Sequence, residues 1–441
     1  MPEPYDVITM GRIGVDLYPL EVGVPLARVE TFGKFLGGSP ANVAVAAARL
    51  GRRTAVITRT GRDAFGTYLH QELERFGVDA RWVTAVEEYP TPVTFCEIFP
   101  PDDFPLYFYR QPKAPDLEIH APDLDLDAVR DARIFWMTGT GLSAEPSRSA
   151  TLAALAARTA GPAGSAAHGT GRAGGRTATV FDLDWRPMFW DGGDDSTEAP
   201  ARYREALAHA TIAVGNIDEC AIATGEREPY AAARALLAAG VELAVVKQGP
   251  KGVLAVHRDG STTDCPPLPV EVVNGLGAGD AFGGALCHGL LAGWPLDRLV
   301  RYANAAGAIV ASRLACSSAM PFPDEVEGAL AAGAVTADPG APAGRKAPAA
   351  TGASAGLGGS ADPGGSVSPG GSADAGGSAG LGGSAGPGGS VGPGGSADSG
   401  GSVGLGALAD PGGSVGVGGS ADPGASVDPG ASAGPRAGAG S

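Results

Sequence analysis

The chain has 441 residues, of which 48 are Asp or Glu and 32 are Lys or Arg, giving a formal net charge of −16 at pH 7. This acidic excess is poorly suited to binding the phosphate backbone of a nucleic acid or an anionic membrane surface. The sequence has no 18-residue apolar run and no basic N-terminal segment followed by an apolar one, so it predicts neither a membrane span nor an export signal.

Along residues 1–335, short β-branched segments alternate with segments rich in Ala and Leu. In chain order they read DVITMG, NVAVAAARLG, TAVITRTG, YLHQELERFG, RIFWMTG, SRSATLAALAART, TVFDLD, ARYREALAHA, TIAVGN and ELAVVKQG. Strands that alternate with helices indicate a parallel sheet covered by helices on both faces. Such sheets bind ligands beyond the carboxyl ends of their strands, where Asp16, Asp182, Asn216 and Lys247 fall.

One region departs from this alternation. Residues 91–100 and 104–110 read as two strands joined by the turn PDD, without a helix between them. This pattern predicts an antiparallel hairpin beside the main sheet. We expect its apolar side chains, including Phe95 and Tyr109, to pack inside the protein or against a second subunit.

The end of the chain has a different composition. From Gly352 to Pro435 the sequence repeats every six residues, as in GGSADP and GGSVSP, and its apolar residues are Ala, Val and Leu. Such segments cannot bury enough surface to offset the entropy of ordering. A collagen helix would need Gly at Ala361, and a β-helix would need a regular bulky aliphatic residue. We therefore predict that residues 336–441 form a disordered tail.

The cysteines, like the N-terminus, indicate an intracellular protein. They are odd in number and form no C-x-x-C pair, so neither a zinc knuckle nor a disulfide framework is expected. Free thiols are typical of a reducing compartment, and we expect a cytoplasmic location. The five are Cys96, Cys220, Cys265, Cys287 and Cys316.

The stretch NGLGAGDAFGGALCHGL, at residues 274–290, places three glycines before Asp280 and a helical pattern after it. Small residues let a ligand approach the backbone, and a helix N-terminus offers unpaired N–H groups to an anion. We expect this setting to favour the ionised carboxylate, which can accept a hydroxyl proton. The N–H groups of Gly277, Ala278 and Gly279 could receive the charge of a transferred phosphoryl group. Alternatively, Asp280 only caps its helix.

Other nucleotide motifs are absent or incomplete. No GxxxxGK[ST] stretch occurs, so the chain is not a P-loop protein. GTGLSA at residues 139–144 fits the dinucleotide pattern G-x-G-x-x-A, but no acidic residue between Pro146 and Phe181 could hold a ribose. This disfavours a nicotinamide-dependent dehydrogenase.

A second glycine-rich stretch, GGSPANVAVAAARLG at residues 37–51, has Asn42 near the start of a predicted helix. An asparagine side chain offers both a donor and an acceptor to hydroxyl groups. Asp16, in GRIGVDLY, can accept two hydroxyl hydrogen bonds. Together they predict a polyol site, although an ordinary glycine-rich turn would look similar.

Taken together, these stretches resemble the two signatures of the PfkB (ribokinase-like) carbohydrate kinases, over roughly residues 5–325. GAGDAFGGAL looks like the second signature, and the residues that match the first are Gly37, Gly38, Pro40, Asn42, Ala44, Gly51 and Gly61. The resemblance implies a ribokinase-like three-layer α/β sandwich with a central, mostly parallel sheet in a domain at residues 1–335. It also implies a small β lid from roughly 12–36 and 90–112, which in this fold often pairs in a homodimer.

The resemblance implies roles for individual residues. Asp280 would be the catalytic base, and the anion hole would be formed by Gly277, Ala278 and Gly279. The residues expected to bind the sugar are Asp16, Gly37, Gly38 and Asn42.

ATP and Mg²⁺ are the implied cofactors. KQGPKG resembles the family's nucleotide-binding turn, which places Lys247, Gly249 and Gly252 near ATP, with Asn304 beside the adenine. NIDE resembles the NxxE motif, whose Asn216 and Glu219 would hold Mg²⁺ through water. Where many members read D-T-x-G-A-G-D, this chain has Asn274 and Gly275, which leaves any additional cation contact open.

Within the family, GRIGVDLY, PPDDFPLYFYR and DLDWRPMFW are most similar to the 5-dehydro-2-deoxygluconokinases of myo-inositol catabolism. The expected reaction is then ATP-dependent phosphorylation of the primary hydroxyl of 5-dehydro-2-deoxy-D-gluconate. Guanidinium groups suit the carboxylate of such an acid, and the candidates are Arg110, Arg186 and Arg148, although each could instead lie on the surface or near ATP. The alternatives are a 2-keto-3-deoxygluconate kinase, a fructokinase, or a non-catalytic sugar sensor.

Overall fold

The structure is a computed structural model that describes residues 3–159 and 177–335. The predicted disordered tail, 336–441, lies outside the described residues. The domain boundary at residue 335 stays a prediction. No helix in the described ranges is long and apolar enough to cross a bilayer. The five cysteines all lie in those ranges, as buried free thiols.

The described residues form fourteen strands and ten α-helices. The strands are β1 (Val7–Met10), β2 (Gly14–Pro19), β3 (Phe32–Gly37), β4 (Thr54–Gly61), β5 (Val78–Asp79), β6 (Val83–Val86), β7 (Val93–Cys96), β8 (Leu106–Tyr109), β9 (Ile134–Thr138), β10 (Ala178–Asp182), β11 (Ile212–Asn216), β12 (Leu243–Lys247), β13 (Val253–His257) and β14 (Thr262–Cys265). The helices are α1 (Ser39–Arg49), α2 (Ala64–Arg75), α3 (Leu126–Asp131), α4 (Ser147–Thr159), α5 (Ala199–Leu207), α6 (Ile217–Thr224), α7 (Pro229–Ala239), α8 (Ala278–Leu291), α9 (Leu296–Ala311) and α10 (Pro323–Ala332).

Ten of the strands form one sheet in the order β14-β13-β12-β11-β10-β9-β1-β4-β5, with β6 also paired to β4. Pairing is parallel except at β12-β13 and β13-β14, where it is antiparallel. Successive side chains of a strand point to opposite faces, and in β1 Val7 and Ile8 belong to separate apolar cores. Because helices cover both faces, the central strands β1, β4, β9 and β10 are buried along their whole length rather than at alternate positions. The predicted three-layer, mostly parallel α/β sandwich is confirmed.

The other four strands form a separate sheet in the order β3-β2-β7-β8, which we call the lid sheet. β7 and β8 pair antiparallel, with Val93 opposite Tyr109, so the predicted hairpin is confirmed. β2 runs antiparallel to β3 and parallel to β7, which joins the hairpin to the segment after β1. Movement of this sheet as a lid stays a prediction.

Close packing of α1 on α8 brings the two glycine-rich stretches together. A Cβ atom at Gly284 would lie 2.3 Å from the Cβ of Ala46, and one at Gly283 would lie 2.7 Å from the ring of Trp136. Both distances are far inside van der Waals contact, so only glycine allows the helices to approach this closely. The N-terminal turns of α1 and α8 therefore meet at the carboxyl edge of the main sheet.

Candidate active site

Polar side chains gather where the parallel strands of the main sheet end. Asp182 is the last residue of β10, Asn216 of β11 and Lys247 of β12, and α8 begins next to them. Parallel strands place their carboxyl ends at one edge, where side chains distant in sequence become neighbours. Polar side chains therefore gather at the edge where the sequence predicted a ligand site.

The N-terminus of α8 is shaped by Gly277, whose φ of 82° is in the left-handed region. A Cβ there would lie 2.7 Å from the sulfur of Cys316, so both conformation and space require glycine. No side chain in the described ranges caps this helix. Asp280 instead accepts a hydrogen bond from Nδ2 of Asn42 at 2.8 Å. Its carboxylate therefore faces α1 rather than capping α8, which leaves the N–H groups of the first turn available.

Burial raises the pKa of Asp280, and hydrogen bonds from Asn42 and Ser39 only partly offset this. The expectation that the helix N-terminus would favour the ionised form is therefore wrong for the net effect. Desolvation disfavours the charged form of a carboxyl group, and it is the largest effect on the pKa of Asp280. A carboxylate with a raised pKa is a stronger proton acceptor, as a general base must be.

Asp16 lies on lid strand β2 and is buried beside the N-terminus of α1. The Tyr18 hydroxyl donates to its Oδ2 at 2.9 Å. A Cβ at Gly37 would lie 2.2 Å from the Asp16 carboxylate, and one at Gly38 would lie 2.5 Å from the backbone oxygen of Arg12. Burial raises the pKa of Asp16 to about 7, although Tyr18 and the charge of Arg12 act in the opposite direction. The structure thus brings Asp16 and both glycines together.

The pKa values of two carboxyl groups near the end of β10, Asp182 and Asp184, are shifted in opposite directions. Burial raises the pKa of Asp182 to about 8, and nearby carboxylates add to this while Lys247 opposes it. Burial acts on Asp184 in the same sense, but Arg186 and Arg12 outweigh it and hold the pKa below its usual value. Asp184 has a backbone φ of 33°, a strained conformation of the kind that functional sites hold in place. The surroundings of this strand end thus favour the protonated form of Asp182 and the ionised form of Asp184.

Lys247 links the strand ends to the start of α8. A Cβ at Gly279 would lie 3.2 Å from the Lys247 ammonium, so the two residues are in contact. Burial would lower the pKa of Lys247, but the carboxylates of Asp182, Glu219 and Asp280 raise it overall. The site therefore holds a permanent positive charge beside the first turn of α8.

The predicted nucleotide-binding turn follows β12. Gly249 and Gly252 have φ values of 56° and 95°, which favour glycine. A Cβ at Gly252 would lie 2.0 Å from the Cys265 oxygen. Asn304 on α9 donates to the Pro266 oxygen at 3.0 Å, so it lies beside the same segment. The structure therefore places Gly252 and Asn304 beside the same segment, as expected from the sequence. Their contact with a nucleotide stays a prediction.

Asn216 and Glu219 form a capping box at the start of α6. Glu219 Oε2 accepts from the Asn216 N–H at 2.7 Å, and the Glu219 N–H donates to Asn216 Oδ1 at 2.9 Å. Glu219 Oε1 lies 3.7 Å from Arg186 Nη1. In the described part of the chain, no group of three or more His, Cys, Asp or Glu is arranged to hold a metal ion. A metal held through water, as predicted, needs fewer protein ligands.

The three arginines that the sequence suggested for a carboxylate are all paired within the fold. Arg110 donates to Asp116 at 2.8 Å, and Arg186 lies 3.0 Å from Asp184. Arg148 pairs with Glu198 and also donates to two backbone carbonyls. These bonds make Arg148 a structural residue, whereas Arg186 belongs to the strand-end group.

Sequence reasoning missed Arg12 and Asp184 and gave Ser39 no role. Ser39 donates to Asp182 at 3.4 Å, and Arg12 donates to Asp184 at 3.4 Å. A usable signal was present in DLDWRP, where Asp182, Asp184 and Arg186 alternate just past a strand end. GTGLSA, by contrast, has a packing role: a Cβ at its first glycine would lie 2.2 Å from the Leu183 oxygen.

Comparison with known protein families gives one match across most of the chain. The model described as pfkB family carbohydrate kinase matches residues 5–323. A protein named 5-dehydro-2-deoxygluconokinase, from Geobacillus thermodenitrificans, is 32% identical over 331 residues, which are 74% of this chain and 93% of that relative.

Solved structures of kinases have the same fold. A protein from Escherichia coli described as a putative ribokinase II, solved in complex with ATP and Mg²⁺, is 24% identical with a TM-score of 0.65; the match covers 74% of this chain and 99% of that chain. An uncharacterized sugar kinase from Pyrococcus horikoshii, solved in complex with ATP, is 26% identical with a TM-score of 0.58, and covers 73% of this chain and 99% of its own.

The raised pKa of Asp182 predicts that the free energy of unfolding depends on pH. The unfolded Asp182 ionises near its ordinary pKa, whereas the folded one keeps its proton until about pH 8. Asp182 therefore lowers the free energy of unfolding progressively as the pH rises through this window. Relative to wild type, Asp182→Asn should gain about 1–3 kcal/mol in the free energy of unfolding between pH 5 and pH 8.

Urea denaturation at several pH values measures this gain. Asp63→Asn is the matched control: hydrogen bonds from Thr91 and Gly66 outweigh burial, hold the pKa of Asp63 below its usual value and confine its titration to acid pH. The stability difference of this variant should therefore be constant from pH 5 to pH 8. A stability difference for Asp182→Asn that does not change with pH would show that Asp182 is ionised in the folded protein.

Proposed function

The chain belongs to the pfkB family of carbohydrate kinases, and from that membership we propose that it transfers the γ-phosphoryl group of ATP to the primary hydroxyl of 5-dehydro-2-deoxy-D-gluconate. The observation that carries the chemistry is the 2.8 Å contact between Asn42 and Asp280, which unites a polyol-binding turn with a carboxylate at a helix N-terminus. The choice of acceptor is supported by the name of the Geobacillus relative.

Asp280 is the proposed catalytic base. The acceptor oxygen attacks the γ-phosphorus, the bond to the β-phosphate oxygen breaks, ADP leaves, and the hydroxyl proton passes to Asp280. The raised pKa of this carboxyl group makes it a stronger proton acceptor. The hydrogen bond from Asn42 fixes the orientation of the carboxylate before the acceptor arrives.

The first turn of α8 is the proposed anion hole. The N–H groups of Gly277, Ala278 and Gly279 lie at the positive end of the helix, where they can receive the charge on the transferred group. Lys247, in contact with Gly279, adds a full positive charge. These groups are fixed by the backbone and by buried carboxylates, so they need little reorganisation during transfer.

Mg²⁺ would be held at the end of β11. Mg²⁺ prefers oxygen ligands and keeps several waters, so Asn216 and Glu219 suit a site reached through water better than a direct cage. Both side chains supply oxygen atoms, and the buried Glu219 adds negative charge. When bound, Mg²⁺ neutralises phosphate charge. The rest of ATP would lie along the turn with Gly249 and Gly252, with Asn304 near the adenine.

The acceptor would lie between the lid sheet and α1. Asn42 Oδ1 is buried without a hydrogen-bond partner in the described ranges, so it can accept from a sugar hydroxyl. Asp16, beside Gly37 and Gly38, would accept others. Arg110 and Arg186 stay predictions for contact with the acid group. The same arrangement would also fit 2-keto-3-deoxygluconate or fructose, and a sugar sensor without turnover would use the same pocket.

We further propose a cytoplasmic homodimer formed through the outer face of the lid sheet. Phe95 stacks edge-on against Phe32 and Tyr109, with ring centroids 5.5 Å apart in each pair. Tyr109 remains 66% exposed. A cluster of exposed aromatic rings on a sheet face is typical of an interface. The cytoplasmic location is supported by five buried free thiols in the described ranges.

Asp280→Asn tests the proposed base. The variant keeps the shape and hydrogen-bonding capacity of the site but cannot take a proton, so kcat should fall at least about 100-fold while ATP binding measured by calorimetry is unchanged. Asp297→Asn is the matched control, because Asp297 occupies the first turn of α9 and is exposed. Near-normal turnover by Asp280→Asn would contradict the assignment of Asp280 as the catalytic base.

An acceptor panel tests the substrate. ATP consumption should be measured with Mg²⁺ and 5-dehydro-2-deoxygluconate, 2-keto-3-deoxygluconate, fructose or ribose. We expect the highest kcat/KM for the first compound. Preference for another sugar would support phosphoryl transfer but contradict the proposed acceptor. An absence of ATP consumption with all four compounds would favour the sugar sensor.

Tyr109→Glu tests the dimer. A charge placed in the exposed aromatic cluster should halve the molar mass measured by light scattering, because it cannot be buried unpaired in an interface. Tyr230→Glu is the control, since Tyr230 is 42% exposed on α7, away from the lid sheet. A monomeric wild type, or an unchanged mass for Tyr109→Glu, would contradict an interface at this face.

A further inference from the structure

Arg12 follows β1 and is buried, with only 8% of the residue exposed. Its guanidinium lies 5.6 Å from the ring centre of Phe108 on the lid strand β8 and 5.9 Å from that of Phe189. The two rings contact each other edge-to-face at 5.0 Å. The charge is therefore held against apolar walls contributed by both the lid sheet and the segment after β10.

The hydrogen-bonding capacity of this guanidinium is mostly unused. Arginine has five N–H donors in a rigid plane. Among residues 3–159 and 177–335, the Arg12 side chain donates one long hydrogen bond, to Asp184 at 3.4 Å, and its Nε is buried without a partner. Buried polar groups in folded proteins are nearly always satisfied, so these donors indicate a missing acceptor.

The neighbouring arginines make shorter polar contacts than Arg12, although Nε of Arg186 is, like that of Arg12, buried without a partner in the described ranges. Arg186 lies 3.0 Å from Asp184 and donates to the Trp185 oxygen at 2.7 Å. Arg110, which also lies over Phe189, donates to Asp116 at 2.8 Å. Arg12 and Arg186 thus share the carboxylate of Asp184, with the shorter contact made by Arg186. Arg12 therefore keeps N–H donors that no protein atom in the described ranges accepts.

The position of Arg12 suits one end of the acceptor. Its charge opposes the burial-raised pKa of Asp16 and of Asp280, so it lies within electrostatic reach of both. Its backbone oxygen lies against Gly38, in the predicted sugar-binding turn. The planar guanidinium group of Arg12 is buried and has free N–H donors, so it can form two parallel hydrogen bonds to a carboxylate.

We propose that Arg12 binds the carboxylate of the sugar-acid acceptor and thereby selects acids over neutral sugars, with Phe108 and Phe189 holding its guanidinium plane. This assignment rests on the proposed function. It makes Arg12, rather than Arg110 or Arg186, the main determinant of acid specificity.

Arg12→Lys tests this assignment because lysine keeps the positive charge but cannot form two parallel hydrogen bonds to a carboxylate. Its kcat/KM for 5-dehydro-2-deoxygluconate should fall about 10- to 100-fold, mainly through KM, while kcat/KM for fructose changes less than about threefold. Arg12→Ala should regain part of the lost activity on the acid when guanidinium chloride is added at millimolar concentration. Equal losses on both acceptors, or no rescue, would make Arg12 a structural residue.

Two comparison variants sharpen the result. Arg148→Lys should leave both acceptors unaffected, because Arg148 is held by Glu198 and by backbone carbonyls. Arg110→Lys is the competitor, since Arg110 lies over the same phenylalanine ring. A selective loss on the acid in Arg110→Lys, with none in Arg12→Lys, would overturn the proposal.

Binding measurements separate this proposal from the proposed substrate. A wild type without turnover of 5-dehydro-2-deoxygluconate overturns that substrate alone. Calorimetry with D-gluconate and D-glucitol, which differ in the acid group, then decides the role of Arg12. Wild type should bind gluconate at least about tenfold more tightly than glucitol, and Arg12→Lys should lose this preference. Equal affinities in wild type would overturn the carboxylate site.

Discussion

The whole site depends on how a buried group of opposite charges is neutralised at the carboxyl ends of the parallel strands. The acidic members are Asp16, Asp182, Asp184, Glu219 and Asp280, and the basic members are Arg12, Arg186 and Lys247. A charge removed from water must be paired or must be lost by protonation. Both solutions occur two residues apart: Asp184 is ionised between two guanidinium groups, whereas Asp182 keeps a proton up to about pH 8. Arg12 makes only one long hydrogen bond within this group, to Asp184 at 3.4 Å, so its other donors are available to an anionic group of a ligand.

Much of the fold could be predicted from the sequence because it depends on local periodicity. Alternating strand and helix segments predicted the parallel sheet, and the turn between residues 91–100 and 104–110 predicted the hairpin of the lid sheet. The glycines of GAGDAFGGAL also carried information, because three of them are required by a left-handed turn or by helix packing: Gly277, Gly283 and Gly284. Local rules of this kind depend on neighbours a few residues away, which a sequence displays directly.

Two features of the site could not be predicted, because they depend on tertiary burial. Arg12 and Asp184 are 172 residues apart in sequence, and only the folded sheet makes them neighbours. The pKa of Asp280 was expected in the wrong direction for a related reason. A helix dipole contributes roughly 0.3–1 kcal/mol at an exposed end, whereas full burial can shift a carboxyl pKa by about 3–5 units. The larger effect is visible only when the surrounding side chains are placed.

The contacts of Arg12 connect recognition of the acceptor to the lid sheet. One wall of its guanidinium is Phe108, which belongs to the lid strand β8, and the other is Phe189 on the main body of the domain. A hydrogen bond between a guanidinium and a carboxylate gains strength as water is excluded. By supplying Phe108, the lid sheet therefore helps to determine how completely water is excluded from the guanidinium group of Arg12. A sugar acid gains from this exclusion of water because its carboxylate accepts from the free N–H donors of Arg12, whereas a neutral sugar leaves those donors desolvated and without an acceptor. Discrimination between the two acceptors thus follows from the cost of desolvating a charged group whose hydrogen bonds are incomplete, and desolvation is also what raises the pKa of Asp182.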